Sequence, residues 1–134
     1  MTKIKFVTLA QAQAIHNHHL SLFGGTTGII DEGKLESTLF RPINIANYKA
    51  DASMCELAAS LGYGIVINHP YVDGNKRTAF IIMAVFLEIN QIKMVAPEIA
   101  TVEIMLGIAV GKTTEKMLSD WLACNTEDQS KSRL

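Results

Sequence analysis

Eight consecutive apolar residues, Phe80-Ile81-Ile82-Met83-Ala84-Val85-Phe86-Leu87, constrain this chain more than any other feature. They fall in a predicted helix from about Gly74 to Ile89. At 3.6 residues per turn, eight residues pass more than twice around the axis, so the whole circumference is apolar. A helix that is apolar all round is buried all round. It has to be the central helix of a bundle, because the run is far too short to span a bilayer. Its first turn, in contrast, carries Asp73, Asn75, Lys76 and Arg77. The most polar cluster of the chain therefore sits at the mouth of its most apolar helix.

The rest of the chain supplies partners for that helix. Thr8 is an N-cap for a helix over Leu9 to Phe23, which Gly24-Gly25 stops. Asp31 caps a short helix that carries Leu35, Leu39 and Phe40 and ends near Arg41-Pro42. Residues 43 to 50 have no helical period and read as a short extended flap. Ser53-x-x-Glu56 is a capping box, and the helix behind it runs to Asn68, where Pro70 disfavours helical geometry at His69. Pro97 suits the first turn of a helix through Val110, closed by Gly111, and Thr113 or Thr114 caps a last helix through Leu122. No alternating run is long enough for a sheet. The expected fold is an all-α single-domain bundle of about six helices over residues 1–125, followed by a polar, frayed tail over 126–134.

Composition removes several function classes. A length of 134 residues with 49% apolar content fits one domain with its own core. Twelve basic and 13 acidic residues leave a net charge of −1, which argues against broad binding to nucleic acid or anionic lipid. Cys55 and Cys124 are too few and too scattered for a disulfide or zinc framework and read as structural thiols. Residues 1–6 lack a signal-peptide core, so a cytoplasmic protein is expected.

Each member of the polar cluster has a plain structural reading. Asp73 can be an N-cap, Gly74-Asn75 a turn, Lys76 and Arg77 solvated charges, and His69 a helix-ending residue. Their concentration in nine residues ahead of a buried helix favours chemistry. A helix N-terminus leaves N–H groups unpaired and carries positive partial charge, which makes it an anion site. Gly74 lets backbone approach a phosphate closely. Lys76 and Arg77 add positive charge. Asp73 beside a phosphate is repulsive unless a cation such as Mg²⁺ lies between them. His69, just before the loop, can take a proton from an attacking hydroxyl.

The segment His69-Pro70-Tyr71-Val72-Asp73-Gly74-Asn75-Lys76-Arg77-Thr78-Ala79 resembles the Fic motif, H-x-F-x-D/E-G-N-G-R-x-x-R, and more closely its Doc variant. The Gly24-Gly25 turn and residues 28–42 are also similar to Doc-like proteins. The resemblance implies that His69 is the general base and that Asp73 positions Mg²⁺. It places Gly74, Asn75, Lys76 and Arg77 around the phosphates of ATP, with Tyr71 as the apolar anchor in place of Phe. Lys76 stands where adenylylating Fic enzymes have Gly, and Phe80 stands at the last motif Arg. Both are Doc features. They imply transfer of the terminal phosphate, with ATP reversed, to a threonine of elongation factor Tu. Arrest of translation and neutralisation by a small helical antitoxin follow from the same resemblance. Adenylyl transfer is the rival within enzymes. A non-catalytic helical binding protein is the rival outside them.

Weaker signals have plainer readings. Gly107-x-x-x-Gly111-Lys112-Thr113 imitates a P-loop one residue short and without a preceding strand, so it reads as a helix stop and cap. His16, His18 and His19 read as surface histidines. The alternatives for them are weak metal binding, or a face turned to the target or antitoxin. The helical methionines are core filling.

Overall fold

A computed structural model describes residues 3–26, 28–29 and 31–129. Its elements run α1 (Leu9–Phe23), α2 (Glu32–Tyr48), α3 (Met54–Asn68), α4 (Asn75–Ile89), β1 (Ile92–Met94), α5 (Glu98–Ala109), α6 (Glu115–Cys124) and β2 (Thr126–Asp128). Over the described residues the fold is a six-helix bundle with one small ribbon. Among the described residues no helix is long and apolar enough to cross a membrane.

Helix starts follow local chemistry closely. Thr8 and Ser53 form reciprocal capping boxes with Gln11 and Glu56, and Asp31 and Thr114 each accept from a backbone N–H three residues on. Pro97 is the N-cap of α5 rather than a member of its first turn. The P-loop imitation is a helix end, because the N–H groups of Lys112 and Thr113 both donate to Gly107 O.

The central position is shared between α4 and α3. On α4, Ala79, Ile82, Met83, Phe86 and Leu87 are fully buried, while Phe80, Ile81, Ala84 and Val85 are half-covered. α3 is the more enclosed of the two and packs against α2, α4, α5 and α6. Gly64 permits the α2 contact: a methyl group there would lie 2.8 Å from Arg41 Cδ and from Thr38 Cγ2.

The expectations for α2 and for the start of the tail do not hold. α2 does not end at Pro42 but continues to Tyr48, so residues 43–48 are helical and not a flap. A proline inside a helix removes one ladder bond and costs about 3 kcal/mol. Here tertiary anchors outweigh that cost. Pro42 itself is buried, Arg41 Nε donates to Ser60 O at 2.9 Å, and the Arg41 guanidinium pairs with Glu115. The tail is also more ordered than expected. Thr126–Asp128 pairs antiparallel with Ile92–Met94, and Val95 N–H donates to Asn125 O at 2.8 Å. Three-residue strands are too short to show alternation, which is why the sequence hid them. Residues 130–134 of the expected tail lie outside the described residues.

Candidate active site

The loop between α3 and α4 is built on Tyr71. Its side chain is fully buried and stacks on His16 with ring centroids 3.8 Å apart. Its hydroxyl donates to Ala12 O at 3.4 Å, and burial pushes its pKa up to about 12. Asn75 then fixes the backbone. Its Oδ1 accepts from Tyr71 N–H at 3.0 Å and its Nδ2 donates to Tyr71 O at 2.8 Å. The Asn75 side chain is thus spent on the loop, and what it offers an anion is its backbone N–H. A second strand of backbone braces the loop from outside, where Val72 N–H donates to Gly28 O at 3.1 Å and Ile29 bridges Tyr71.

His69 ends α3 in the left-handed region, with φ 50° and ψ 56°, and its side chain is exposed. Gly74, not Asp73, is the N-cap of α4; it has φ 75°, a conformation glycine adopts without steric cost. Among the described residues no side chain caps this helix. The N–H groups of Asn75, Lys76 and Arg77 therefore lack an intrahelical acceptor. The Asp73 carboxylate is oriented by two backbone donors: Gly74 N–H to Oδ1 at 2.8 Å and Thr26 N–H to Oδ2 at 3.3 Å. Each oxygen keeps a free lone pair, and the side chain is exposed.

These groups line one cleft of about 280 Å³, bounded by His19, Gly24, His69, Val72, Asp73, Gly74, Asn75, Lys76 and Arg77. All six residues singled out from the sequence are brought together there. The arrangement can bind an anion at the open helix end, with two side-chain cations beside it. One outward carboxylate suits Mg²⁺, which is commonly held by one or two carboxylates together with substrate phosphates. No cluster of three or more metal-ligating side chains occurs among the described residues.

Two of the histidines expected at the surface are interior, and one of them, His19, lines the cleft. His16 and His19 are buried, at 2% and 4% exposure, while His18 is exposed. His16 Nε2 donates to Asp73 O at 2.9 Å and so ties the loop to α1. His19 has its pKa lowered, first by burial and then by the nearby charge of Arg77 and by His16, with Asp73 opposing, so the surroundings disfavour the charged ring. The His16–His19 spacing put both on one helix face, but nothing local in sequence says that this face meets a loop more than 50 residues away. Of the two cysteines, Cys55 is half-buried and Cys124 is exposed.

Comparison with known proteins identifies the family. Residues 6–87, more than half of the chain, match the sequence model of the Fic/DOC family. The chain is 28% identical over 110 residues to "Protein kinase doc" of Escherichia phage P1, covering 81% of this chain and 86% of that one. It is 38% identical over 76 residues to "Toxin Doc" of Mycolicibacterium smegmatis, covering 55% of this chain and 58% of that one. The matched region carries α1 to α3, α4 as far as Leu87, and the whole cleft, and the chain belongs to the Fic/DOC family.

Proposed function

We propose that this protein is a Doc-like toxin that transfers the terminal phosphate of ATP to a hydroxyl of a protein target. One observation carries the reading. The uncapped N-terminus of α4 opens into a cleft that also holds a candidate base, His69, and the charged side chains Asp73, Lys76 and Arg77. Similarity to a relative named as a protein kinase supports phosphoryl transfer over adenylyl transfer. The Lys76 and Phe80 positions of the motif point the same way.

Position supports the following roles. The backbone N–H groups of Asn75, Lys76 and Arg77, with the two cationic side chains, bind and orient the phosphates. Asp73 is pre-aimed by Gly74 and Thr26 and would hold Mg²⁺. Bound Mg²⁺ supplies neutralisation of phosphate charge. His69 accepts the proton of the target hydroxyl as that oxygen bonds to the terminal phosphorus. The bond from phosphorus to the bridging oxygen breaks, and ADP leaves. Such transfer depends chiefly on positioning and charge. Elongation factor Tu is the proposed target, and a small helical antitoxin the proposed partner, on the strength of the Doc resemblance.

Product analysis tests the reading. Incubation with ATP, Mg²⁺ and elongation factor Tu should release ADP, and His69→Ala should slow release by roughly 10²–10⁴-fold with ATP affinity little changed. Release of pyrophosphate would establish adenylyl transfer instead. Unchanged turnover in the variant would remove His69 as the base.

A further inference from the structure

Two buried side-chain atoms among the described residues have no hydrogen-bond partner, Thr78 Oγ1 and His19 Nδ1, and of these two residues His19 lines the cleft. His19 lies on α1, outside the motif. Its Cδ2–Nε2 edge faces the N-cap of α4: a methyl group on Gly74 would sit 3.4 Å from Cδ2 and 3.6 Å from Nε2. Phe23 packs against the ring at 5.0 Å between centroids, and the Arg77 guanidinium lies 5.1 Å from the Phe23 centroid. The ring is therefore clamped, with one edge at the open helix end.

A neutral imidazole carries one N–H. Placed on Nδ1, it would be a buried N–H without an acceptor, which folded proteins tolerate less often than a buried acceptor without a donor. The proton belongs on Nε2, on the Gly74 side, where the unpaired N–H groups of α4 gather. We propose that His19 is a further binding residue of this cleft, its Nε2–H donating to an oxygen of a phosphate chain held at the N-terminus of α4. The inference rests on the nucleotide reading above. His19 adds direction without adding charge: Lys76 and Arg77 already supply two cations, and a clamped neutral donor selects where the phosphate oxygen sits. Gly74 is needed twice, for its left-handed backbone and because a side chain would come between His19 and the anion.

Titration calorimetry of the full chain with ATP and Mg²⁺, and with adenosine as a phosphate-free control, tests this. His19→Phe keeps a ring of similar shape and removes the donor. It should weaken ATP binding about tenfold or more and leave adenosine binding unchanged, since hydrogen bonds to charged groups are of that strength. His19→Gln, whose amide N–H reaches a similar point, should recover part of the loss. Equal ATP affinity in wild type and His19→Phe would overturn the inference and leave the nucleotide reading standing. Absence of ATP binding by the wild type would overturn both. If His19→Phe does not fold, ¹⁵N resonances of wild-type histidine rings decide. A shift of His19 Nε2 on saturation with ATP supports the role, and an unchanged resonance overturns it.

Discussion

Asn75 makes the motif loop rigid by answering both backbone groups of Tyr71 from one side chain. Asn75→Ala would leave a buried N–H and a buried C=O unpaired, at about 1–3 kcal/mol for such a group. We expect a loss of roughly 2–3 kcal/mol in urea unfolding. A loss under about 0.5 kcal/mol, the range of an ordinary surface substitution, would show that the clamp is dispensable. Tyr71 gives a pH dependence of definite sign. Its pKa is raised by burial from 10.0 to about 12, so the folded state favours the neutral phenol. Its contribution is whole below pH 10 and is lost as pH rises toward 12, on the order of 2–3 kcal/mol across the window. Tyr71→Phe should abolish the highest-pH phase of tyrosinate absorbance and flatten the alkaline loss of stability. An unchanged titration curve would contradict this. At this scale the motif residues were legible, because their chemistry is local and dense. His16 and His19 were not, because their partners Asp73 and Gly74 come from the far side of the α3–α4 connection.

Among the elements, α4 and α5 both start without a side-chain cap, and α4 is set apart by the charged side chains beside its open end. Thr8, Asp31, Ser53 and Thr114 cap α1, α2, α3 and α6 with side-chain oxygens, and α5 starts at Pro97. α4 begins at a glycine with no side-chain cap, beside Lys76 and Arg77. Those caps were readable because capping is a three-residue interaction. The continuation of α2 past Pro42 was not, because its cause lies in Ser60 and Glu115, 19 and 74 residues from Arg41. Arg41→Ala should therefore speed amide exchange over residues 43–48 and lower stability by about 1–3 kcal/mol, as for a lost hydrogen bond to a charged group. Exchange rates there equal to wild type would mean that Pro42 is tolerated for another reason.

The molecule as a whole is a helical scaffold whose two innermost helices meet at the working loop: α3 ends at His69 and α4 begins after Gly74. The all-round apolar run of α4 was enough to foresee a bundle. It did not reveal that α3, whose face is mixed with small residues, is the more enclosed partner. Nor did it reveal the ribbon that holds Thr126–Asp128 against β1, since such short strands carry no period. Junction of the two helices brings His69 and the open end of α4 to one cleft, and the proposed phosphoryl transfer depends on that arrangement. The most direct test supplies the protein and elongation factor Tu with ATP labelled at either the α or the γ phosphate and follows label into the target. The account predicts label from γ-labelled ATP and none from α-labelled ATP, with the γ signal lost in His69→Ala. Label from α-labelled ATP, or undiminished γ label with His69→Ala, would contradict it.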